Sequence, residues 1–286
     1  MSLNVKYGRS ARTNFGSFDK LLNFAVGGLL LIGTLLVYAG TREWFRSYGL
    51  DPEYYFKRHT LNIVIGGLLA YGTTLIDYRL LRAYTPIVWL AAVIGLTIVL
   101  IPGLGTEING ARAWISLPGG FQLQPAELAK IAIIVGISMI LSDRDQTDKD
   151  PTDLDVVKAL AIAAVPILLI VAQPDLGTVL IISAAVVAMI GASGAPARWV
   201  VGLMLLAVVG VFTAVQTGAV SQYQVARLQS FVDPSADPQA SGYQLRQSRI
   251  TIGSGGLFGK GLFEGPQTNG RFVPEQQTDF IFTVAG

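Results

Sequence analysis

Cysteine is absent from this chain of 286 residues, and histidine occurs once, as His59. These two shortages exclude a disulfide framework, a thiolate metal site, a His-rich metal cluster and a Ser-His-Asp triad in suitable company. Charge is scarce as well. Only 14% of residues are Asp, Glu, Lys or Arg, and the net charge of +2 gives no global field to gather nucleic acid. His59 stands beside Arg58 at the mouth of an apolar run, where a mixed polar and apolar ring suits an interfacial structural role.

What the chain does have is apolar length. Hydrophobic residues make up 51% of it, and they fall in long blocks rather than in stripes. Seven runs, at 21–39, 61–76, 84–101, 126–141, 156–172, 176–192 and 199–215, are long enough to cross or nearly cross a bilayer. An eighth begins at Phe280 and stops at Gly286. The expected fold class is therefore an all-α polytopic membrane protein: one membrane domain with a tail at 1–20, seven helices within 21–215, a large loop at 216–279 and the start of an eighth helix at 280–286. The basic N-terminus (Lys6, Arg9, Arg12, Lys20) precedes a full-length span without a small-residue cleavage site, which predicts a retained first helix.

Orientation follows from Lys and Arg in the short loops. With the N-terminus inside, the cytoplasmic side collects Lys6, Arg9, Arg12, Lys20, Arg79, Arg82, Arg144, Lys149, Lys158 and Arg198, against Arg42, Arg46, Lys57, Arg58 and Arg112 outside. Seven crossings then put 216–279 on the outer face. The acidic run at 143–155 reads as a solvated connector, and Trp44, Trp114 and Trp199 as boundary anchors. The long loop carries Pro234, Pro238, an alternately apolar piece around 243–252 and a glycine series from Gly253 to Gly265. That series resembles a phosphate loop only superficially. Without a preceding strand and a βαβ context it excludes an ATP or NAD site and leaves a flexible loop whose backbone amides can meet phosphate.

Two helix starts share a pattern, Gln124-Pro125-Ala126-Glu127 and Gln173-Pro174-Asp175. Capping alone accounts for both, since proline and acids suit a first helical turn. A functional reading gains from Lys130, which shares a helix face with Glu127. Charges near bilayer depth each cost up to ~3 kcal/mol on insertion scales, so Glu127, Lys130 and Asp175 are expected to face one another or a wet cavity. Asp279 stands at the edge of the eighth run, where Thr278-Asp279 suits either a helix cap or a functional acid. Arg112, Arg227, Arg246, Arg249, Lys260 and Arg271 are outer-side cations suited to phosphate.

Five segments resemble, in order, the motifs of one family. They are Ile108-Asn109-Gly110-Ala111-Arg112-Ala113-Trp114-Ile115; Gln124 to Lys130; Gln173-Pro174-Asp175-Leu176-Gly177-Thr178; Asp237-Pro238-Gln239 with Gly242-Tyr243-Gln244-Leu245 and Gln247-Ser248; and Phe272-Val273-Pro274-Glu275-Gln276-Gln277-Thr278-Asp279-Phe280-Ile281-Phe282. The family is SEDS (shape, elongation, division and sporulation), membrane glycosyltransferases that polymerise peptidoglycan from lipid II. The resemblance, softly closer to the elongation branch than to the division branch, implies a ten-helix fold of which this chain is a truncated part. It also implies a multi-pass protein of the bacterial cytoplasmic membrane, a class B penicillin-binding protein as partner, and Asp279 as the catalytic carboxylate.

The reaction joins a sugar hydroxyl of one lipid II to the anomeric carbon of another and expels a lipid diphosphate. It needs a general base, for which Asp279 is the choice, and cations for the diphosphate. No obligatory cofactor is called for; a divalent cation, Mg2+ or Mn2+, on the Asp279 carboxylate is a competing role. The expected partners are lipid II, the transpeptidase and membrane lipids, and no nucleic acid. Two other readings stand beside this one: a lipid II flippase with Glu127, Lys130 and Asp175 as its polar path, and a scaffold for the penicillin-binding protein.

Overall fold

The computed structural model describes residues 19–108, 110–142, 150–218, 241–256 and 258–286. Asn109, most of the acidic run, Arg227 and Asp237-Pro238-Gln239 lie outside these. Helices cover all seven apolar runs: α1 (Lys20–Ser47), α2 (Tyr54–Thr74), α3 (Tyr78–Leu100), α4 (Pro125–Ser142), α5 (Asp153–Val171), α6 (Leu176–Ala192) and α7 (Ala197–Gln216). Five of them, α1, α3, α4, α5 and α7, contain a stretch long and apolar enough to cross a membrane, and α6 is an apolar helix of 17 residues. The chain divides into two compact units, one of residues 73–220 and one of residues 1–72 with 221–286.

In the 73–220 unit, small and branched residues recur every three or four positions: Ala92 and Leu96 on α3, Ala129, Ile133 and Ile137 on α4, Val156, Ala159 and Ala163 on α5, and Ile182, Val186 and Ile190 on α6. This spacing puts one face of each helix into a common core. Helix α4 sits at its centre, touching α3, α5 and α6. Lipid is as apolar as leucine, so such helices associate by close packing, which small residues permit. A Cβ on Gly95 would lie 3.0 Å from Pro125, and one on Gly136 would lie 3.3 Å from Ile162. Pro166 within α5 has no N–H to give the Ile162 carbonyl one turn back; the Trp89 indole donates to it instead, at 3.0 Å.

Between α3 and α4 the chain forms a small antiparallel meander, absent from the expected all-helical plan: β1 (Thr106–Ile108), β2 (Ala111–Leu117) and β3 (Phe121–Leu123). Arg112 faces Glu107 across β1 and β2, with charged groups 3.8 Å apart. The Pro-Gly-Gly turn from β2 to β3 needs left-handed backbone at Gly119 and Gly120, with φ of 79° and 73°.

The other unit joins α1 and α2 to α8 (Ser241–Gly255), α9 (Pro266–Asn269) and α10 (Phe282–Ala285). Here the expected irregular loop is corrected. The piece around 243–252 and the first glycines of the series, Gly253 and Gly255, belong to helix α8, and left-handed backbone begins only at Gly256, Gly259 and Gly261. Exposed or not, glycine is a weak helix former, and packing of α8 against α10 overrides that local preference. In the link from α1 to α2, the Lys57 ammonium and the Glu53 N–H bond to Asp51 and hold its carboxyl below the usual carboxylate range.

Candidate functional site

The segment 272–282 folds as a tight turn rather than as a helix start. Glu275 adopts left-handed backbone, with φ of 53°, and its carbonyl then accepts from Thr278 N at 3.2 Å, Phe280 N at 3.3 Å and Thr278 Oγ1 at 3.3 Å. Residues 276–279 are thereby wrapped around one oxygen. Gln277 Nε2 adds a bond to the Glu275 carboxylate at 3.1 Å. The outcome is an alternation of burial: Val273, Gln276 and Gln277 point inward, whereas Thr278 and Asp279 are exposed.

Asp279 caps nothing here. The N-cap of α10 is Ile281, which lacks a side-chain bond, and Asp279 makes neither a hydrogen bond nor an ion pair among the described residues. The capping explanation open from sequence is thus replaced by an exposed carboxylate without a hydrogen bond or ion pair among the described residues.

The turn rests on the far end of α1. Gln276 is 2% exposed, and its amide donates to Gly40 O of α1 at 2.8 Å and to Thr268 O of α9 at 3.0 Å. Gly40 also lets α10 lie close to α1, because a Cβ there would lie 3.1 Å from Val284 of α10. Two cation–π contacts reinforce the seat: Arg271 lies 3.7 Å from the Trp44 ring centre and Arg42 lies 4.5 Å from that of Phe263. Beside the turn, a cavity of about 160 Å³ is lined by Leu36 and Ala39 of α1, Thr251 of α8, Lys260 and Gln267. Gln267 Oε1 is buried without a hydrogen-bond partner among the described residues. Arg246 and Arg249, three apart on α8, are exposed.

Glu127, Lys130, Asp175 and Arg112 belong to the 73–220 unit. Glu127 and Lys130 do meet, as an ion pair of 2.7 Å on α4. Asp175 is held differently: as N-cap of α6 it accepts from Thr178 N at 3.1 Å, from Thr178 Oγ1 at 2.7 Å and from Gln124 Nε2 at 3.1 Å. Lys130 also borders a small apolar cavity of about 40 Å³ between α4 and α6, with Ile133, Ile182 and Met189. Gln173 is fully buried; its Nε2 donates to Leu96 O at 3.0 Å, and its Oε1 has no partner among the described residues.

Gln124, Gln173 and Gln276 lie inside the motifs, and their residue pattern alone assigns them no work. Their signal is an amide side chain flanked by apolar helices, where it must find a partner: backbone carbonyls for Gln173 and Gln276, the Asp175 carboxylate for Gln124.

No group of three or more His, Asp or Glu side chains able to hold a metal occurs among the described residues. The donor set at Asp279 is one exposed carboxylate. That fits a divalent ion shared with substrate phosphates, not an all-protein cage.

A polytopic helical protein with a free carboxylate on a turn seated against its first helix is the class that fold and site define. Comparison with known proteins gives the family. The family model described as "Cell cycle protein", covering FtsW, RodA and SpoVE, matches residues 20–286. "Probable peptidoglycan glycosyltransferase FtsW" of Legionella pneumophila is 38% identical over 93% of this chain and 66% of its own length. "Stage V sporulation protein E" of Bacillus subtilis is 35% identical over 93% of this chain and 71% of its own.

Among solved structures, one described as "Structural coordination of polymerization and crosslinking by a peptidoglycan synthase complex" superposes with TM-score 0.65 and 31% identity, over 85% of this chain and 67% of that one. A mutant of the Thermus thermophilus Rod shape determining protein RodA gives TM-score 0.55 and 27% identity, over 68% of this chain and 60% of that one. The chain belongs to the FtsW/RodA/SpoVE family, the SEDS proteins, and is a multi-pass bacterial membrane protein. It spans about two thirds of the length of these curated relatives, at 66% and 71%.

Proposed function

We propose that this protein is a peptidoglycan glycosyltransferase, polymerising lipid II into glycan strands at the outer face of the cytoplasmic membrane. Its N-terminus lies in the cytoplasm in this reading. The observation that carries the proposal is the exposed carboxylate of Asp279, unbonded among the described residues and displayed on a braced turn within a chain that matches the family from residue 20 to 286. Asp279 takes the proton from the acceptor sugar hydroxyl as its oxygen attacks the anomeric carbon of the donor, and the lipid diphosphate leaves.

Lys260, Arg246 and Arg249 are the cations of the same unit offered to that diphosphate. A divalent cation on Asp279, when bound, would neutralise charge on the phosphates. The crosslinking half of the neighbouring synthase complex supports a transpeptidase partner, which we read as a class B penicillin-binding protein. Curated relatives carry division and sporulation names whereas RodA appears among the structures, so the matches span the branches. The role in elongation is proposed from the motifs.

The flippase reading drew on Glu127, Lys130 and Asp175. Each has a local partner, by an i,i+3 ion pair or by the α6 cap, so these charges are accounted for without a transport path. The test reconstitutes the whole protein in liposomes with lipid II. Glycan strands are the expected product; headgroup translocation without strands would overturn the proposal.

A further inference from the structure

We infer that Gln276 is a positioning residue for Asp279, a peg that fixes the 275–280 turn to the first helix. The inference rests on the glycosyltransferase reading for its consequence, but its geometry stands alone. Among the described residues Asp279 makes no hydrogen bond or ion pair of its own, so what fixes it acts through the backbone of its turn. Within that turn, Gln276 is the one side chain that reaches helical backbone elsewhere among the described residues. The Gln276 amide donates both of its protons, to Gly40 O at 2.8 Å and to Thr268 O at 3.0 Å, and is 2% exposed. It therefore ties the turn both to α1, 236 residues away in sequence, and to its near neighbour α9, eight residues away.

The chemistry of the tie demands two donors at the end of a three-carbon reach. Both acceptors are carbonyls, so a carboxylate of the same shape would repel both, and a leucine would leave both without this partner. Gly40 is the matching half: a Cβ there would meet the Gln276 stem in ordinary contact at 3.8 Å but would crowd Val284 at 3.1 Å. The strained Glu275 backbone, at φ of 53°, is the kind of conformation that persists only when its surroundings over-determine it, and Gln276 is the adjacent residue that does so.

A catalytic group displaced by about 1 Å can lose about 10²-fold in rate. Gln276→Leu and Gln276→Glu are accordingly expected to lower kcat for strand synthesis by about 10- to 100-fold, with KM for lipid II changed less than about twofold. Gln276→Arg, which restores donors, is expected to recover part of kcat. A kcat within twofold of the original in both non-donor variants would overturn the inference, as would a rise in KM alone or a rescue no better than leucine.

Hydrogen exchange supplies a readout free of activity. In Gln276→Leu the amides of Thr278 and Phe280, which bond to Glu275 O, should lose protection while those of α4 and α5 keep theirs. Unchanged protection at Thr278 and Phe280 sinks the peg even if the protein proves not to be a polymerase. Lost protection in a protein that makes no strands keeps the peg and removes the enzyme reading.

Discussion

Asp279→Asn is expected to lower kcat for strand synthesis from lipid II by about 10²–10⁴-fold, the usual contribution of a positioned base. The substitution keeps the shape and removes the ability to take a proton. Because the carboxylate is exposed and makes no bond among the described residues, nothing in the fold is spent by the change: the Glu275 turn, the Gln276 tie and the α10 N-cap at Ile281 do not involve it. Thermal unfolding in detergent is therefore expected to shift little, within the range of about ±0.5 kcal/mol typical of surface substitutions. A falling kcat with steady KM marks an interaction made in the transition state. Loss of folding together with activity would return Asp279 to a structural role, and full activity would remove it from the mechanism.

Asp175→Ala is expected to act the other way, on stability first. One carboxylate there accepts three hydrogen bonds, from Thr178 N, Thr178 Oγ1 and Gln124 Nε2, and it joins the start of α6 to the strand-to-helix junction before α4. Loss of a helix cap costs about 0.5–2 kcal/mol, and polar bonds between membrane helices average about 0.6 kcal/mol, so a total of about 1–3 kcal/mol is expected. Asp175→Asn keeps one acceptor for Thr178 N and should cost about half as much. Denaturant or thermal unfolding of the purified protein measures both. If Asp175→Ala were as stable as the original but inactive, Asp175 would belong to the chemistry and not to the cap.

The seven helices were legible in the sequence because an apolar block of bilayer length has few other uses. Their ends were not. The first run stops at residue 39, yet α1 continues to Ser47 through Thr41, Arg42, Glu43 and Trp44. Hydropathy reads that stretch as loop, whereas in the fold Arg42 pairs with Glu43 at 2.7 Å, and Trp44 receives Arg271 from the C-terminal segment. Helix α2 likewise starts at Tyr54, among aromatic rings that stack or meet edge-on with Phe45 and Tyr38.

The meander escaped notice since two of its strands have three residues, too few for an alternation to register. Glycines hid helix α8, whose order depends on α10 rather than on its own composition. At the site, Asp279 was visible as an acid at the edge of an apolar run, but its freedom from the helix cap was decided by the φ of Glu275, which no residue pattern announces. Gln276 was invisible for a related reason: a polar side chain is buried only when distant carbonyls, here Gly40 O and Thr268 O, arrive to meet it.

The absence of native cysteine makes the decisive measurement simple. Thr278→Cys, in a background where any cysteine outside these 286 residues is replaced by serine, places one thiol on the exposed turn next to Asp279, and a membrane-impermeant maleimide applied to intact spheroplasts reads which side it faces. Labelling before permeabilisation is the predicted result, putting the carboxylate where glycan strands grow. Labelling only after the membrane is opened would place it in the cytosol and contradict the account.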